Sequence, residues 1–266
     1  MLGPAHSASG PAAFVAAATL TTFTAAAVST GGTPSLILLV VGMVVAAGFA
    51  LVPDFDTRGT AVISLGIVGT ALMYVFRGMS SVALLVRGRG DDPNMDTHRT
   101  FTHTLVFAAF VYFSLTAALA TPWRNGIALV VLSLSAVIGM NGVVSKFAHK
   151  LRDGNPLGVY GVMAGTLAAV FLLWKFGIGD DADYANSVIA VIPVAAAVGV
   201  IAHLAGDIIT KKGIPLLWPI PIRGKCWFSI RPLGSMLSAS NPLANNIIYW
   251  GSIFITFAGT LALMTS

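Results

Sequence analysis

Long apolar runs constrain this chain more than any other feature. Windows of about 20 residues with almost no charge recur from end to end, long enough for a helix to cross the ~30 Å hydrocarbon core of a bilayer. Lipid offers backbone N–H and C=O groups no outside partner, so such runs fold as helices that satisfy their own hydrogen bonds. With 56% hydrophobic and 9% charged residues, little remains from which to build a soluble domain. The expected fold is all-α, a polytopic membrane helical bundle forming one integral domain over residues 1–266.

Spanning helices are predicted over about 11–30, 34–52, 101–120, 126–144, 158–176, 187–209 and 246–264, seven in all. Gly31 with Gly32 and Pro34, Pro53, Pro122, Gly154 with Pro156, and Pro242 separate them. The segment 60–86 is apolar enough to cross once, but a crossing would put the PDFD segment at 53–56 and the HRTFTH segment at 98–103 on opposite faces. An interfacial or re-entrant helix over 60–86 keeps them together. The basic residues then divide 13 to 2 between the faces, against 12 to 3 with a crossing. Both divisions make the basic face cytoplasmic, so charge does not choose between them. The N-terminal MLGPAHSASGPAAF lacks the basic region of a signal peptide and is expected to stay in the mature chain.

Composition also excludes chemistry. One cysteine, Cys226, allows neither an intrachain disulfide nor a cysteine-based zinc cluster. All ten acidic residues are Asp, so no HExxH motif exists. A net charge of +5 suits a basic cytoplasmic surface, and nothing resembles a nucleic-acid-binding arm.

In so apolar a chain an ionisable residue is costly unless it pairs, coordinates or faces water. His203 and Asp207 stand four apart at the end of a predicted helix, one turn over the other on one face. Such a pair can chelate one ion, or be a helix-terminal His bonded to an Asp. His98 and His103, five apart, point the same way only if a helix starts between them, with Asp96, Thr97 or Thr100 as its cap. Asp54 and Asp56 follow the Pro53 break, as paired ligands or as a solvated turn countered by Arg58. His6 is a lone His that would open the first helix on the same face. Arg99 can clamp an anionic group. His149 lies in a cationic loop suited to anionic headgroups. The loop 210–245, with Trp218 and Trp227 beside Lys and Arg, reads as a headgroup-level anchor or a lid over the site.

Together these segments resemble the LexA-regulated inner-membrane family of membrane-bound metal-dependent hydrolases. That family shows a His near the N-terminus, a PDxDH segment, an HRGxTHS segment and an HxxxDxxTxxGxxLLWP segment. Here they read His6 in AHSASG, PDFDT at 53–57, HRTFTHT at 98–104 and HLAGDIITKKGIPLLWP at 203–219. The last is the most specific, matching His203, Asp207, Thr210, Gly213, Leu216, Leu217, Trp218 and Pro219. Thr57 stands where the family has His, and Thr100 where it has Gly. The family's acidic residues near the C-terminal helix have no counterpart around Asn245 and Asn246.

The resemblance implies a multi-pass protein of the bacterial inner membrane that hydrolyses an ester or phosphoester with a divalent metal, zinc first. On residues and resemblance together, His6, Asp54, His98, His103, His203 and Asp207 are the expected ligands. Asp56 is the expected general base, and Arg99 the holder of the substrate's negative charge. A cytoplasm-facing interfacial site suggests a lipid or lipid-linked substrate. The alternative is a metal-binding transporter or a non-catalytic membrane protein; transport predicts polar residues along a path through the bilayer, whereas these gather near helix ends.

Overall fold

The computed structural model describes residues 3–20, 29–30, 33–57, 65–92, 98–144, 156–178, 182–231 and 241–265. The fold is all-α. Its helices are α1 (Gly3–Leu20), α2 (Leu36–Phe49), α3 (Gly66–Ala83), α4 (Leu105–Leu119), α5 (Arg124–Val144), α6 (Pro156–Leu173), α7 (Ala182–Ile208) and α8 (Pro242–Thr265). Single 3-10 turns, Val52–Asp56 and Phe101–His103, follow α2 and precede α4. A π-helical turn, Trp174–Ile178, extends α6, and Ser29–Thr30 pairs with Thr33–Pro34 in a two-residue antiparallel ladder. The predicted caps Asp96 and Thr97, Arg58, and the cationic loop around His149 lie outside the described residues.

Five described helical stretches are both long and apolar enough to cross a membrane: Leu36–Asp56, Gly66–Ala83, Arg124–Gly142, Ala182–Ile208 and Pro242–Thr265. Leu105–Leu119 and Met163–Leu173 are apolar but shorter. The first helix begins earlier than the predicted residue 11: α1 starts at Gly3, because Pro4 falls in the first turn, where a missing N–H costs no helical hydrogen bond. The α4 start shifts the other way. Thr104, extended at φ −123° and ψ 157°, caps the helix by accepting from the Phe107 N–H at 3.1 Å. Thr100 instead anchors the preceding 3-10 turn, its carbonyl accepting from the His103 N–H at 3.0 Å.

The centre of the bundle is α2 with α7. Of their spanning windows 67% is buried, against 22% for α3 and 17% for α8, which lie at the periphery. Phe14, Leu38, Val45, Phe107, Leu132, Ile192 and Leu204 join α1, α2, α4, α5 and α7 in one core. Two glycines set the spacing there. A Cβ on Gly10 of α1 would stand 2.3 Å from the Ala46 carbonyl oxygen of α2, and one on Gly199 of α7 would stand 2.4 Å from the same atom. Only glycine lets both helices touch α2 backbone at that level, the small-residue packing familiar between membrane helices. One turn along each helix from this crossing stand His6, Ala50 and His203.

The α3 helix lies across the level of these ends. Leu65, at its start, and Met73 pack with Leu51 and Phe55; Ala83 and Leu84, at its end, pack with Phe101, Trp218 and Trp227. Asp56 and His98, which flank the whole segment, are in contact at 3.0 Å. A single crossing would leave those two residues a bilayer apart, and a return as bare chain would strand backbone groups in hydrocarbon. Cysteines introduced at Thr57 and Asp92, in a Cys226→Ser background, are therefore expected to react with an impermeant maleimide from the same side. Labelling from opposite sides would show that 57–92 crosses.

Candidate metal centre

Four helix ends deliver the ionisable residues to one place: the start of α1, the end of α2 with its 3-10 turn, the turn before α4, and the end of α7. One ligand atom each from Asp54, His103, His203 and Asp207 lies within 4.8 Å of every other. The His103 and His203 Nε2 atoms are 3.3 Å apart. Asp54 Oδ1 lies 3.5 and 3.7 Å from them, and Asp207 Oδ2 3.6 and 3.7 Å.

Hydrogen bonds behind the rings decide which nitrogens face inward. His203 Nδ1–H donates to the Ala50 carbonyl at 2.8 Å, so its Nε2 presents a lone pair. The Thr102 hydroxyl donates to Asp56 Oδ2 at 3.3 Å. His103 Nδ1, 3.0 Å from that hydroxyl, must then be the donor to it, which also leaves Nε2 unprotonated. Two imidazole lone pairs and two carboxylate oxygens thus converge with no proton between them. Acceptors placed this way repel unless a cation sits among them, and two nitrogens with two oxygens form a donor set suited to zinc and related divalent ions. The arrangement fits a metal. Replacing Thr102 with valine removes the His103 anchor, and metal affinity is expected to fall ~10–100-fold; competition with a chromogenic chelator measures it.

Around these four stand the other residues singled out from the sequence. His6 is fully buried, its ring stacked on His203 with centroids 3.8 Å apart. Neither of its nitrogens has a hydrogen-bond partner among the described residues, and Nε2 lies 3.5 Å from Asp207 Oδ1. Asp56, also buried, takes His98 Nδ1–H on one oxygen at 3.0 Å and Thr102 on the other. Arg99, at φ 58°, reaches Asp207 Oδ2 with Nη2 at 2.9 Å and donates from Nη1 to Thr210 Oγ1 at 3.0 Å and the Gly213 carbonyl at 3.5 Å. Thr210 Oγ1 in turn donates to the Asp207 carbonyl at 2.7 Å. Three anchors were not assigned from the sequence: the Ala50 carbonyl, Thr102 and Thr210. The two threonines sit inside the motif segments, whereas a backbone carbonyl leaves no residue-type signal.

His98 is open to solvent on one side, its side chain 31% exposed. Partial burial opposes its protonation, but the hydrogen bond to Asp56 and the charges of Asp56 and Asp54 outweigh that and raise its pKa above the ordinary 6.5. A raised folded-state pKa contributes stability that is complete below about 6.5 and fades as pH climbs through the folded value. Chelator-treated protein should therefore lose thermal stability as pH rises above about 6.5, and His98→Gln should flatten that slope. Equal slopes would mean the pair does not hold an imidazolium.

Comparison with known proteins agrees with a membrane protein carrying these segments. The YdjM inner membrane protein family matches residues 1–154 and 158–265. No curated protein and no solved structure matches the chain. The family match covers nearly every residue, including all four ionisable segments, and it corresponds to the LexA-regulated inner-membrane family that those segments resemble. The chain belongs to the YdjM inner membrane protein family.

Proposed function

We propose that this protein is a membrane-bound hydrolase dependent on a divalent metal ion, zinc by its donor set, acting on an ester or phosphoester of a lipid or lipid-linked molecule. The observation that carries the reading is the convergence of two imidazole lone pairs and two carboxylates at the ends of three helices. The excess of basic residues expected on the same side supports a site at the cytoplasmic interface.

Asp54, His103, His203 and Asp207 would hold the ion, with His6 beside Asp207. Bound there, it would supply Lewis acidity to an ester or phosphoester oxygen and lower the pKa of water towards ~7. Of the four, Asp54 alone is partly exposed, at 33%, and His98 borders it, so substrate approaches from that side. His98, held protonated by Asp56, can give a proton to a departing oxygen, and Asp56 acts through it. Arg99 fixes Asp207 and offsets its charge. The transport alternative lacks support here, because the ionisable residues cluster at helix ends.

The test is direct. Protein purified in neutral detergent should carry stoichiometric divalent metal and hydrolyse a chromogenic phosphodiester or carboxylester. Chelation should stop turnover, and zinc should restore it. Metal without hydrolysis of any ester class would leave a binding protein; no stoichiometric metal would end the reading.

A further inference from the structure

The loop joining α7 to α8 concentrates positive charge without its opposite. Residues 209–231 include Lys211, Lys212, Arg223, Lys225 and Arg231, and no Asp or Glu. Pro215, Pro219 and Pro221 bar a helix, and the chain instead folds back on itself. Ile222 and Lys225 exchange backbone hydrogen bonds at 2.9 and 3.0 Å across a two-residue turn. Its central residues, Arg223 and Gly224, have φ of 52° and 77°, the positive pair of a type I′ hairpin. Further on, the Ile230 N–H donates to the Ile214 carbonyl at 2.9 Å and closes the loop.

The fold leaves a cavity of about 490 Å³ lined by Lys225, Trp227, Phe228, Ser229, Ile230 and Arg231. Among the described residues no carboxylate lies within ion-pair distance of Lys225 or Arg231. The nearby acid, Asp91, is occupied by backbone: it accepts from the N–H groups of Gly88 at 2.7 Å and of Cys226 and Trp227 at 3.1 Å. It pins the cavity wall and stands beyond ion-pair distance of both cations. Trp227 is 4% exposed and stacks on Trp218 at 4.9 Å, yet its indole N–H has no acceptor among the described residues. The polar side chains here are two cations, an indole N–H and a hydroxyl, a set dominated by donors. It matches an acceptor-rich oxyanion, with Phe228 and Ile230 offering apolar contact beside it.

We propose that this cavity binds a phosphate group, at the headgroup level of the membrane, as a site separate from the Asp/His cluster. It deepens the hydrolase reading, on which its catalytic meaning rests, by assigning the substrate a phosphate-bearing anionic end. The same loop is tied to the cluster: Arg99 donates to the Gly213 carbonyl, and the Leu216 carbonyl accepts from the Leu105 N–H at 3.0 Å.

The experiment is calorimetric titration of the full-length protein in neutral detergent with dihexanoyl phosphatidate, dihexanoyl phosphatidylcholine and inorganic phosphate. Metal content is measured on the same samples. Phosphatidate should bind saturably and phosphatidylcholine much more weakly. Lys225→Ala/Arg231→Ala should weaken phosphatidate by roughly 30-fold, about tenfold or less per cation, with metal content unchanged. Lys225→Arg/Arg231→Lys should restore binding and so exclude a folding defect. Displacement by inorganic phosphate would identify free phosphate as a sufficient ligand; no displacement would identify the lipid headgroup. Equal binding of both lipids, or wild-type affinity in the double alanine variant, overturns the site. A metal-free wild type that still binds phosphatidate through Lys225 and Arg231 overturns the hydrolase reading and leaves this one standing.

Discussion

His203→Ala is expected to abolish stoichiometric metal binding, with a loss exceeding the ~10–100-fold that follows removal of an outer hydrogen bond. The ring is completely buried, and its Nε2 lies within 3.7 Å of His103, Asp54 and Asp207. His6 stacks on this ring at 3.8 Å, so His203→Ala/His6→Ala is the companion variant that excludes replacement by the neighbouring imidazole. The substitution should also lower stability by about 1–3 kcal/mol, since the Ala50 carbonyl loses its donor inside the bundle. Elemental analysis and thermal unfolding separate the two effects. Wild-type metal content in His203→Ala would remove this histidine from the centre.

The second large effect is on folding. Arg99→Ala should destabilise the metal-free protein by about 3–5 kcal/mol, the usual result of leaving one partner of a buried ion pair alone. Asp207 is 1% exposed and Arg99 15%, and the two are in contact at 2.9 Å. Adding Asp207→Asn to Arg99→Ala should recover much of the loss, because the buried charge that caused it is gone. A metal ion would also offset that charge, so the penalty should shrink in zinc. If the single and double variants unfold alike, the guanidinium is not what compensates Asp207.

The parts of this fold legible from sequence are those that helical period and lipid impose. Apolar runs of spanning length announce a membrane bundle, and the i, i+4 spacing of His203 and Asp207 puts both on one face of α7. Requiring Asp54, Asp56, His98 and His103 on one side favours a 60–86 segment that does not cross, and the Asp56–His98 contact at 3.0 Å agrees with their sharing a face. Helix ends were harder to read. Thr100 and Thr104 are equally good caps by type, and a 3-10 turn between them decides for Thr104. Arg99 reads as a substrate clamp because sequence shows only its histidine neighbours, whereas the folded chain puts Asp207 and Thr210 against it. The Ala46 crossing depends on a main-chain oxygen touched from two sides, which no residue pattern records.

The placement of Arg99 has one more consequence. Taking His6, His103 and His203 as neutral and the Asp56–His98 pair as cancelling, Asp54, Asp207 and Arg99 leave the layer with one negative charge. A divalent cation changes that to one positive charge, and a singly charged anion beside it brings the layer to zero. Ion and anion therefore each lower the other's cost of entry. By reciprocity, whatever factor the anion adds to metal affinity the metal must add to anion affinity. On the proposed function, the four-helix junction would behave as a paired receptor, nearly neutral only when both guests are present.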